Sequence, residues 1–188
     1  MEELLGCWRE AQRGDKAALH LLRLRMVLGL EYTEHINAVL REVESSSRLL
    51  RDLYDLVPIY RARVAMIVYF LNVILPSLYK TLRDMMIYMD NDSLTERSQW
   101  TLMCDRMGEQ GKMTLAARHV MYNEFLVQLI RLLGRSVFNC AYDCDWRDLT
   151  NVSRSPLHDP TALDVLRKRI LRLRLQQGIN GMALARYS

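Results

Sequence analysis

The chain has 188 residues, 50% hydrophobic, 26% charged and 8% aromatic, with only 8 Gly and 4 Pro. So few turn-formers exclude a many-stranded sandwich or barrel, and so much apolar content excludes collagen-like, low-complexity and disordered classes. With 11 Met, abundant Leu and Arg, and a net charge of +4 at pH 7, the composition predicts a single all-α domain over 1–188.

The charge is uneven along the chain. Over 161–188, Arg167, Lys168, Arg169, Arg172, Arg174 and Arg186 face one acid, Asp164, so this stretch carries +5 and residues 1–160 carry −1. An electrostatic partner would have to meet the C-terminal stretch. Cys7, Cys104, Cys140 and Cys144 follow no apolar leader, and Met1-Glu2-Glu3 is acidic where a presequence would be basic. They are expected as reduced thiols in the cytosol or nucleus, which makes the Asn-x-Ser triplets at Asn91 and Asn151 chance matches. The most apolar run, 64–79, is shorter than the roughly 20 residues of a membrane span and contains Asn72 and Pro76, so a buried core helix is expected.

An amphipathic piece over 3–12 is predicted to stop at Gly14-Asp15, with a new helix from Lys16. That helix can continue past Gly29, because Ile36, Val39, Leu40 and Val43 keep an apolar stripe, and Ser45-Ser46-Ser47 is the predicted bend. The element over 59–89 is apolar on most faces and is the predicted central helix, with Pro76 kinking or breaking it near 73–75. Ser93-Leu94-Thr95-Glu96 fits a capping box for a helix reaching about Met107. Thr114 caps the next helix, which Gly134 closes, and Asp159-Pro160 starts the last, which runs to about Gln177. The expected architecture is a bundle of six or seven helices. Its core should include Ile67, Phe70, Leu71, Ile74, Leu78, Leu126, Leu129 and Ile130.

One segment does not fit this pattern. Residues 137–154 hold Trp146 and two cysteines without sustained periodicity, and Arg-Ser flanks them at Arg135-Ser136 and Arg154-Ser155. They are expected to form an inserted irregular loop, since their removal would leave a connection of ordinary length.

Four stretches carry a resemblance: 75–86 from Leu75-Pro-Ser-Leu, then Ser93-Leu through Trp100 and Met107, then 115–126 from Leu115-Ala-Ala-Arg-His, and Ile170-Leu-Arg-Leu-Arg. Over roughly 35–178 the chain resembles a helical domain that recurs in fungal proteins of unassigned function. The resemblance implies an all-helical fold and no particular chemistry, and the insertion departs from it.

No constellation anchors catalysis. Cys140-Ala-Tyr-Asp-Cys144, with Asp143, Asp145 and His158, gathers metal-compatible groups but lacks the paired spacings of a four-ligand zinc site, so no metal is expected. His119 with Tyr122, Asn123 and Glu124 could line a groove for acid–base work, although a packed histidine is the favoured reading. Gly108 and Gly111 lack the strand and lysine of a phosphate loop, and no cofactor is expected. Two binding features remain. Lys168, Arg169 and Arg172 lie opposite the stripe Leu163, Leu166, Ile170 and Leu173, and are candidate contacts for nucleic acid or an anionic membrane. No aromatic residue is interleaved with them, which disfavours base stacking. Met85, Met86 and Met89 are candidates for an adaptable groove that takes a protein partner. The favoured expectation is a non-catalytic protein-interaction or scaffold module, and the alternative is an electrostatic binder working through the last helix.

Overall fold

The computed structural model describes residues 2–134 and 160–178. Among these are six α-helices and no strand: α1 (Glu2–Val27), α2 (Leu30–Leu56), α3 (Val64–Met89), α4 (Glu96–Glu109), α5 (Leu115–Leu133) and α6 (Pro160–Gln176), with a 3-10 turn, Arg61–Arg63, before α3. The predicted inserted segment 137–154 lies outside the described residues.

α1 and α2 form an antiparallel hairpin, tied by Arg51 to Asp15 near its base and by Arg25 to Asn37 near its tip. Three expectations fail in this hairpin: the stop at Gly14-Asp15, the bend at Ser45-Ser46-Ser47 and the continuation of one helix past Gly29. α1 runs unbroken through Gly14, and α2 runs unbroken through Ser45-Ser46-Ser47. Gly14 is buried where the helices cross, and a Cβ there would collide with Ser47 Oγ. The glycine serves close approach and not chain reversal. Ser46 Oγ bonds the Glu42 carbonyl one turn back at 3.0 Å, so this serine caps nothing and stays helical. The break falls at Gly29 instead, whose extended backbone makes it the N-cap of α2.

α3 is the predicted central helix and packs against α1, α4, α5 and α6. By length and composition the stretch Arg61–Met89 could also cross a bilayer, with a mean hydropathy of 1.6 over its most apolar window. Pro76 does not break it. Proline lacks the amide that would bond the Asn72 carbonyl, and the Arg174 guanidinium of α6 supplies a replacement donor at 3.4 Å. The central turn of α3 is therefore held by side chains from its neighbours, Tyr122 OH on the Ser77 carbonyl included.

The cap of α4 lies two residues beyond the predicted one. Thr95 Oγ1 accepts from the Ser98 amide, while Ser93 donates from both its amide and its hydroxyl to Asn91 Oδ1 in the preceding turn. Thr114 caps α5 by accepting from the Ala117 amide at 3.2 Å, Gly134 closes it, and α6 begins at Pro160, all as predicted. Of the expected core, Ile67, Leu71, Ile74, Leu78, Leu126 and Leu129 are buried, whereas Phe70 and Ile130 are half-buried at its edge.

Candidate functional site

α6 sits on the bundle with Leu166, Ile170 and Leu173 inward and Leu163 half-buried, which leaves Lys168, Arg169 and Arg172 exposed. Its cations then divide. Asp164 accepts from Arg167 at 2.6 and 2.9 Å and pairs with Lys168 at 2.8 Å, and these donors hold its carboxyl below the usual range. Arg167 also donates to Tyr69 OH, and Arg174 turns inward to α3. Arg169 and Arg172 make no ion pair among the described residues.

These two arginines form one wall of a cleft of about 390 Å³ between α5 and α6. Met113, Val120, Met121 and Leu173 supply its apolar surface, and Glu124 stands on the α5 side. Gly111 closes one end, where a Cβ would lie 2.9 Å from Leu173 Cδ1 and 3.3 Å from the Arg118 guanidinium. The arginines are legible in the sequence, whereas the cleft exists only once α5 and α6 pack together. The α5 wall is marked in the sequence only by the spacing of Ala117, Val120, Met121 and Glu124, a helical stripe that is not uniformly apolar.

Met85, Met86 and Met89 are not a groove. All three are buried, because this part of α3 is enclosed by its neighbours, and they fill the core instead.

His119, Tyr122, Asn123 and Glu124 do not share a site either. Glu124 alone reaches the cleft. His119 is fully buried, its Nδ1 lies 3.3 Å from Ser46 Oγ, and its Nε2 has no partner among the described residues. Burial, together with the neighbouring Arg118 charge, pushes its pKa down to about 3. Ser46 Oγ donates to Asn123 Oδ1 at 2.6 Å, and Asn123 Nδ2 donates to the Glu42 carbonyl and carboxylate. Tyr122 OH meets Thr81 Oγ1 at 2.9 Å, and Gln177 Nε2 donates to Thr81 Oγ1 at 3.0 Å. This polar layer fastens α2, α3, α5 and the end of α6 together in the interior of the bundle. Arg118, also fully buried, donates to the carbonyls of Met107 and Gln110 and so closes the α4–α5 turn.

A second cleft of about 360 Å³ lies between the start of α2 and α4. Two of its charges are engaged with each other, since Arg97 lies over the Tyr32 ring at 5.7 Å and 3.8 Å from Glu31. Cys104 borders it, and burial pushes this thiol and that of Cys7 up to about 12, which favours the protonated form of both. No group of three metal-compatible side chains occurs among the described residues, and Cys140, Cys144 and His158 lie outside them. Compared with known proteins, the chain matches no family model, no curated protein and no solved structure.

Proposed function

We propose that the protein is a non-catalytic interaction module that receives an acidic, apolar-faced segment of a protein partner in the α5–α6 cleft. The carrying observation is the pairing of an apolar floor with two arginines that no described acid neutralises. Buried apolar contact supplies affinity in such a surface, and rim charges select the partner. The sealed position of His119 supports binding over catalysis, and Cys7 and Cys104, which form no disulfide among the described residues, suit a reducing compartment, the cytosol or nucleus.

The second reading, a polyanion binder using Lys168, Arg169 and Arg172, has in its favour that all three are exposed. Against it, the Lys168 ammonium is engaged by Asp164, which leaves a short patch for a multi-phosphate contact. A photo-crosslinking side chain at Val120 separates the two. The module reading expects a protein crosslink that survives high salt and disappears with Arg169→Glu/Arg172→Glu. It fails if Val120 crosslinks no more protein than a control at exposed Arg48, or if DNA, RNA or anionic vesicles bind with steep salt dependence.

A further inference from the structure

The geometry of the α5–α6 cleft points to one class of occupant: an amphipathic α-helix with one acidic and one basic edge, laid along both helices as a third. We infer this on top of the interaction-module reading.

Three observations carry it. The first is periodicity. The α6 wall presents Arg169, Arg172, Leu173 and Gln176, and the α5 wall presents Ala117, Val120, Met121 and Glu124. Both walls follow the i, i+3, i+4, i+7 spacing of a helix face, and a helical occupant meets such a pair of stripes at every turn. Leu173 and Gln176 lie at Gly111, just before α5 begins, so the helices are antiparallel and Glu124 falls at the level of Arg169. Ala117, with its single methyl, leaves room for a third backbone to come close.

The second is the backbone. Both walls are helices whose amides and carbonyls are used internally, so the cleft has no sheet edge to pair with an extended peptide. A strand bound there would bury unpaired N–H and C=O groups. A helix brings its own already satisfied.

The third is charge. Arg169 and Arg172 stand on one wall and Glu124 on the other, and no ion pair of 4 Å or less joins them. An occupant with carboxylates toward α6 and an ammonium or guanidinium toward α5 satisfies all three. The two edges also fix which way the helix points, as flanking charges do in coiled coils.

The test uses three synthetic helical peptides of about 18 residues, long enough to cover both stripes. All share one leucine stripe. The first has glutamates on one edge and lysines on the other, the second has lysines on both, and the third has glutamates on both. Binding to the full chain is read by fluorescence anisotropy, helix formation by circular dichroism, and orientation by a spin label at the peptide N-terminus. The mixed peptide should bind at least about tenfold tighter than the all-lysine one and gain helix on binding, with the label at one end of the cleft. Glu124→Lys should shift preference to the all-glutamate peptide, and Arg169→Glu/Arg172→Glu to the all-lysine one. Equal affinities, no binding, or binding without gain of helix overturns the inference. So does a dimer of the chain alone that the arginine reversals dissolve, since a second copy would then be the occupant. A surviving Val120 crosslink beside undiscriminated peptides rejects the helix while leaving the cleft as a protein site; loss of both rejects both.

Discussion

The Arg174 guanidinium of α6 donates to the Asn72 carbonyl of α3 at 3.4 Å, the acceptor that Pro76 leaves without its intrahelical donor. A proline that would weaken an isolated helix here opens a docking point for another. Arg174 is buried and its pKa is lowered by that burial, so the bond also satisfies a desolvated cation.

This relationship predicts coupling between Pro76 and Arg174. Arg174→Met leaves the Asn72 carbonyl unpaired and should cost about 1–2 kcal/mol in the native background. In Pro76→Ala the helix satisfies that carbonyl itself, so Arg174→Met should be neutral or stabilising there. A double-mutant cycle by urea unfolding should give a coupling of about 1 kcal/mol, and strict additivity would deny the link.

Gly14 and Ser47 should show a reversal of sign. Gly14→Ala forces a methyl onto Ser47 Oγ and should destabilise by about 1–3 kcal/mol. Ser47→Ala alone should be close to neutral, since that hydroxyl is buried without a partner among the described residues. With Ser47 already alanine the new Cβ meets an ordinary contact, and Gly14→Ala should then stabilise by up to about 1 kcal/mol through helix propensity. Thermal melts of the four variants decide it.

His119 should make the fold acid-sensitive. Its folded pKa is about 3 against an ordinary 6.5, so the unfolded chain takes up a proton that the folded one refuses. Its stability contribution is fully present above about pH 6.5 and is lost as pH falls toward 3, at about 1.4 kcal/mol per pH unit. Between pH 7.5 and pH 5 the native chain should lose about 2 kcal/mol more than His119→Gln. Comparing the two proteins removes the opposing contribution of Glu10, whose pKa burial raises. Equal losses in urea midpoints would mean that His119 protonates in place.

Phe125 should outweigh Phe70. The rings meet edge to face at 6.1 Å, but Phe125 is fully buried and Phe70 only half. Phe125→Ala should cost about 3–5 kcal/mol and Phe70→Ala about half as much. Equal costs in chemical denaturation would place Phe70 at the centre of the core, as its helical position alone suggested.

The sequence by itself determined the all-helical class, the apolar stripes of α3 and α5, the Thr114 and Gly134 ends of α5, the start of α6 and the outward face carrying Lys168, Arg169 and Arg172. Each depends on groups within a turn or two of one another, where spacing and capping chemistry are local. Tertiary structure decided what Gly14, Ser47 and Pro76 do, why Met85, Met86 and Met89 are interior, and how Glu124 comes to face Arg169 and Arg172. Glycine and serine have the same local preferences beside solvent as beside another helix, and a helical stripe does not say which neighbour covers it. Those outcomes belong to contacts between residues distant in the chain, which packing assembles once each helix has formed.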